Sequence, residues 1–232
     1  MFMGLVGSEM CIRDSSLIAT LAVGTALASV LSSGDVLPSI DLPFIYAVIL
    51  GFIFTAVLCA ITGILVAYWD MASVFVTLAM AGVIYGLGRT LFIRDERNYL
   101  PEDAAWLEFL GRGQLFGVPM PIICFLILAI IMHLLLTKTT FGKFVYSIGD
   151  SGLAARTSGV PVRPILVMIF ILAGTVAYFA GLLTAGAISA ISTRIVASSL
   201  IYDVLLVVVV GGIGLSGGKG GMHNVILGTL LI

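Results

Sequence analysis

Long apolar stretches alternate with short polar ones along the chain. They cover residues 16–33, 43–69, 72–93, 119–137, 165–188 and roughly 202–215. A helix crosses the hydrocarbon core of a bilayer with about 20 apolar residues, whereas a barrel strand needs only about 9–11. Backbone N–H and C=O groups must be satisfied inside lipid, so stretches of this length predict helices. The stretch 43–69 would be roughly 40 Å long, and tilts or extends past the headgroups. The last stretch is short and ends in glycines. The pattern predicts an all-α, polytopic transmembrane helix bundle.

The polar segments set the sidedness, because basic residues collect in cytoplasmic loops. The loop 34–42 carries Asp35 and Asp41 and no Lys or Arg. The loop 94–118 mixes Arg94, Arg97 and Arg112 with Asp95, Glu96, Glu102, Asp103 and Glu108. The loop 138–164 holds Lys138, Lys143, Arg156 and Arg163 against Asp150 alone. The turn 217–224 has Lys219 and His223. Alternation then places 138–164, the Asp70 turn and 217–224 in the cytoplasm. The loops 34–42 and 94–118 and the segment near Arg194 lie outside. A short amphipathic helix around Asp103–Leu110 is expected at the outer surface.

Composition agrees. Of 232 residues, 60% are hydrophobic and 10% charged, against about 45–50% and about 25% in soluble domains. A net charge of −1 without a basic cluster argues against nucleic-acid binding. Cys11, Cys59 and Cys124 form no CxxC or Cys/His group, so neither a disulfide framework nor a metal site is expected.

Catalytic chemistry finds little support. Asp70 lies in a turn, Asp203 opens the last span, and Arg89 and His133 sit near span ends. There is no paired-carboxylate, Ser/His/Asp or HExxH arrangement, so no enzyme is expected. A mid-membrane acidic group, which an ion-coupled carrier generally needs, is absent from the spans. Residues 211–220 read GGIGLSGGKG, which invites a phosphate-binding loop. The pattern fails, because Ile213 stands where a glycine belongs and Gly220 where Ser or Thr belongs. Gly211, Gly212, Gly217 and Gly218 are read as a tight turn between close-packed helices. Gly82 and Gly86 form a GxxxG, and Gly174, Ala177, Ala180 and Gly181 line the fifth span, all as packing positions.

The cytoplasmic loop carries the most information. Residues 141–165 read FGKFVYSIGDSGLAARTSGVPVRPI. Gly149 is expected to break the chain, Asp150-Ser151 to cap a helix, and Leu153-Ala154-Ala155-Arg156 to form it. Gly159 and Pro161 end it and Pro164 starts the next span. A capped helix with a small-residue face, held between two spans, suits docking into a groove on another protein.

This loop resembles the coupling loop of ABC importer permeases for ribose, xylose and similar monosaccharides, a family that includes branched-chain amino-acid permeases. The matches are Phe141, Gly142, Lys143, Tyr146, Gly149, Ala154, Ala155, Ser158, Gly159, Val160 and Val162. Departures fall at Asp150-Ser151, where Gly-Asn is usual, and at Gly152-Leu153. Residues 67–80, AYWDMASVFVTLAM, resemble a second family stretch without its prolines. Asp203, Val209, Gly211, Gly212, Leu215, Gly217, Gly218 and Gly220 match a third.

The resemblance implies the permease subunit of an ATP-binding-cassette importer, a multi-pass protein of the bacterial inner membrane. Its partners would be an ABC ATPase subunit, a second permease copy or homologue, and a periplasmic or lipid-anchored substrate-binding protein. ATP would be bound by the ATPase, with no cofactor in this chain. Gly149, Asp150, Ala154, Ala155, Arg156, Ser158 and Gly159 would couple to the ATPase, so a bulky charge at Ala155 or Gly159 is expected to uncouple transport. The solute would be small and polar, a monosaccharide foremost, with a branched-chain amino acid as the alternative and an ion-coupled carrier as a more distant one. Outer aromatics Phe44, Tyr46 and Tyr85 suit sugar stacking and lipid anchoring equally, so no substrate residue is assigned. The family has about ten spans, so roughly two are expected before residue 16 and about two after residue 232. Residues 5–15, LVGSEMCIRDS, resemble the translation of a sequencing-library transposase adapter. Residues 1–15 are therefore read as a non-native leader and 16–232 as the permease domain.

Overall fold

The computed structural model describes residues 44–69, 73–87, 97–99, 105–115, 117–188, 190–192, 206–207, 209–212 and 221–231. The first expected span and most of the sixth lie outside the described residues. The elements are α1 (Phe44–Tyr68), α2 (Ser73–Leu87), β1 (Arg97–Tyr99), α3 (Ala105–Arg112), β2 (Gln114–Leu115) and β3 (Val118–Pro119). They continue as α4 (Met120–Lys138), α5 (Thr140–Asp150), α6 (Gly152–Thr157), α7 (Val162–Ile188), β4 (Ala190–Ser192) and α8 (Met222–Leu231). Among these, α1, α4 and α7 are long and apolar enough to cross a membrane. The chain is an all-α membrane bundle, with two short antiparallel strand pairs in its loops.

The core of the described fold is the α1–α7 pair. The buried face of α1 runs Ala47, Gly51, Thr55, Cys59, Gly63 and Ala67, a small residue every fourth position. Four-residue spacing keeps these on one ridge of a helix. On α7 the facing ridge includes Phe170, Gly174, Tyr178, Leu182 and Gly186. Lipid tails are as apolar as the side chains, so close backbone approach and dispersion hold such helices together. A Cβ built at Gly63 would lie 3.0 Å from the Val167 Cα and 3.2 Å from the Phe170 Cβ. One built at Gly174 would overlap the Cys59 Sγ. The Tyr178 hydroxyl donates to the Val48 carbonyl at 2.8 Å, giving the buried phenol a partner across the interface. The opposite face of α1 exposes Ile45, Ile49, Ile53, Val57, Ile61 and Ile64. Such a stripe in water would drive aggregation, and in a bilayer it faces acyl chains.

One end of this pair is closed by α3. Sequence predicted an amphipathic helix at 103–110, and the helix runs over Ala105–Arg112. It also packs onto the spans: Leu107 is 1% exposed in a cluster with Phe44, Tyr178 and Leu182. Trp106 meets Phe44 with ring centroids 5.8 Å apart. The Arg112 Nε donates to the Ala187 carbonyl at 2.7 Å, serving a carbonyl in the last turn of α7. Beside it, β1 pairs with β4, Arg97 opposite Ser192 and Tyr99 opposite Ala190. Residues 97–99 and 190–192 therefore meet at one end of the bundle. The other ends of α1 and α7 meet at Tyr68 and Arg163, alongside the basic loop.

Candidate functional site

The basic loop folds into two helices where sequence predicted one. Lys138 ends α4, and Thr139 alone separates it from α5. The Thr139 hydroxyl accepts from the Gly142 N–H at 3.3 Å and caps α5. Gly142 is buried in this reversal, and a Cβ there would collide with the Leu136 carbonyl oxygen. That close approach explains why Gly142 stands where it does.

Gly149 does not break the chain. Helix α5 continues through it to Asp150, and the stop is Ser151, whose backbone is extended at φ −160° and ψ 105°. Glycine weakens a helix without forbidding it, whereas an N-cap residue must leave helical dihedrals. The Ser151 Oγ accepts from the Ala154 N–H at 3.3 Å, capping α6. The far end of α6 closes in a Schellman motif. Gly159 has φ +80°, its N–H donates to the Arg156 carbonyl at 3.2 Å, and the Val160 N–H reaches the Ala155 carbonyl at 3.1 Å. Helix α7 then begins at Val162, two residues before the expected Pro164.

The faces of α6 differ from the sequence expectation. Ala155 is 2% exposed, covered by the chain itself. A partner cannot touch it, and a charge there would disturb this chain's own packing first. The outward face is led by Leu153, 77% exposed, at a position that departs from the family pattern. Gly149, Asp150, Ala154, Arg156, Ser158 and Gly159 are exposed around it. The result is a short helix capped at both ends, anchored by one buried alanine, with a leucine standing outward. Beside it Tyr68, Arg156 and Arg163 line a cleft of about 440 Å³.

The packing glycines divide. A Cβ at Gly82 or Gly86 meets no atom within 4 Å, so that GxxxG makes no close approach among the described residues. A Cβ at Gly211 would lie 2.5 Å from the Asn224 carbonyl oxygen, and Gly212 turns with φ +69°. Gly217 and Gly218 lie outside the described residues, as do Arg89, Asp70 and Asp203. Of the outer aromatics, Phe44 is buried beneath Trp106 and Tyr46 is 58% exposed; the Tyr85 side chain lies outside the description. His133 is exposed. No group of three His, Cys, Asp or Glu residues that could hold a metal is found among the described residues. Cys59 packs in the α1–α7 interface and Cys124 is partly exposed.

The family described as the branched-chain amino acid transport system permease component matches residues 13–232. The chain is 37% identical to the ribose import permease protein of Bacillus subtilis, over 91% of this chain and 65% of that protein. It is 31% identical to the L-arabinose ABC transporter permease protein of Azospirillum brasilense, over 98% and 67%. It is 28% identical to the D-allose transport system permease protein of Escherichia coli, over 91% and 64%. The chain thus spans about two thirds of the length of these relatives. No solved structure matches it.

Proposed function

This chain belongs to the family of branched-chain amino acid transport system permease components, and from that premise we propose that it is the membrane-spanning subunit of an ATP-driven monosaccharide importer. The observation that carries the proposal is the α6 surface, a doubly capped helix with Leu153 presented outward from the basic loop. Relatives named for ribose import and for arabinose and allose transport favour a monosaccharide over the branched-chain amino acid of the family's description. The partners are an ATPase without which this subunit does no work, a second permease copy or homologue, and a soluble or lipid-anchored protein delivering solute from outside. ATP binds the ATPase, and this chain carries no nucleotide site or cofactor of its own. The residues from 16 onward form the permease domain of a bacterial inner membrane.

The mechanism is a two-state switch biased from both sides. Nucleotide moves the ATPases, α6 passes that displacement to α7 through the rigid Gly159 turn, and the spans change the side to which the path opens. Ala155 makes the link stiff, since it seats α6 on the bundle. Uptake of labelled ribose, arabinose, allose and leucine tests the reading, with the full-length permease reconstituted beside its ATPase and binding protein. A monosaccharide enters only with ATP and continues when ion gradients are collapsed. Entry driven by an ion gradient without the ATPase overturns the proposal, and entry of leucine alone transfers it to the amino-acid branch.

A further inference from the structure

We propose that the cleft lined by Tyr68, Arg156 and Arg163 binds the phosphate headgroup of an anionic phospholipid in the leaflet meeting the basic loop. Two arginines from different elements line it, Arg156 from the last turn of α6 and Arg163 from the first turn of α7. Guanidinium groups pair with phosphate oxygens through planar, charge-assisted hydrogen bonds. The Arg163 guanidinium carbon lies 5.6 Å from the centroid of the Tyr68 ring, a cation–π contact between two residues of the cleft wall. The remaining wall is Pro161, Val162 and Pro164, and among the described residues no carboxylate lines the cleft. The volume of about 440 Å³ falls within the roughly 300–1,000 Å³ typical of small-ligand sites.

The surroundings favour a lipid over a soluble phosphate. Tyr68 and Trp69 are 50% and 70% exposed at the end of α1, and aromatic rings at span ends mark the headgroup level. Ile61 and Ile64, half-exposed, precede Tyr68 at helical spacing and share its face. An acyl chain leaving the cleft therefore lies along an apolar stripe. The leaflet beside a basic loop is the anionic one, and basic pockets between spans there suit acidic headgroups. The inference rests on this sidedness and not on the transport reading.

The test is native mass spectrometry of the full-length permease. Phosphatidylglycerol and phosphatidylcholine of identical chains are compared on wild type, Arg163→Gln, Arg163→Lys and Tyr68→Leu. Wild type should retain phosphatidylglycerol about tenfold more than phosphatidylcholine, and Arg163→Gln should remove about that factor. Arg163→Lys keeps part of the preference, and Tyr68→Leu weakens it while leaving both charges, which covers a failure of Arg163→Gln to fold. Inorganic phosphate alone should not displace the lipid. Equal retention of both lipids, a preference untouched by all three variants, or displacement by millimolar phosphate overturns the proposal. So does loss of ATPase co-purification in Arg163→Gln with lipid retention unchanged, which would give the cleft to an acidic group of that partner.

Discussion

Gly174 and Thr55 show what single residues do in this fold. Gly174 lies against Cys59 so closely that an added Cβ would overlap the sulfur. Gly174→Leu should cost about 1–3 kcal/mol through overpacking, read as a lower thermal midpoint of the purified permease. Among the described residues a Cβ at Gly82 meets nothing within 4 Å, so Gly82→Ala should hold or raise the midpoint, because alanine favours a helix by about 0.5–1 kcal/mol over glycine. Thr55 is buried with its hydroxyl unpartnered among the described residues. A buried, unsatisfied hydroxyl costs about 1–3 kcal/mol, so Thr55→Val should raise the midpoint. The sequence marked Gly174 and Gly82 alike as packing positions. Glycine content is legible in a sequence, but which helix face is covered depends on neighbours distant along the chain. For the same reason the ridge from Ala47 to Ala67 passed unremarked: its threonine and cysteine do not announce themselves as small residues in a GxxxG search.

Among the elements, the loop helices carry the account. Ser151→Ala removes the cap on α6 at about 1 kcal/mol, and Gly159→Ala forces a side chain into a φ of +80° at about 1–2 kcal/mol. Either change should speed amide hydrogen exchange across Gly152–Thr157 while α1 and α7 keep their protection. The cap and the terminating glycine of α6 were readable because both are local chemistry written in adjacent residues. Helix α5 was not, because Gly149 and the short polar run hid a helix whose start depends on Thr139 and on the fold-back at Gly142. The burial of Ala155 was equally hidden, since exposure is decided by packing that a six-residue stretch does not record. Helix α3 was visible as an amphipathic stretch, while its seat on Phe44, Tyr178 and Leu182 required the ends of two spans to come together.

At the scale of the molecule, apolar length was enough to place α1, α4 and α7. The pairing of α1 with α7, and the strand contact between residues 97–99 and 190–192, join segments more than ninety residues apart that no local pattern connects. The central claim is that α6 couples this bundle to an ATPase through its outward face. Leu153→Asp probes it most directly, because Leu153 is 77% exposed and a charge there leaves the chain's own packing alone. ATP-driven uptake is measured in proteoliposomes with the full-length permease, its ATPase and its binding protein. The account predicts that Leu153→Asp lowers uptake about tenfold or more, the loss expected for an anchor residue at an interface, with an unchanged thermal midpoint. Uptake at the wild-type rate would contradict it.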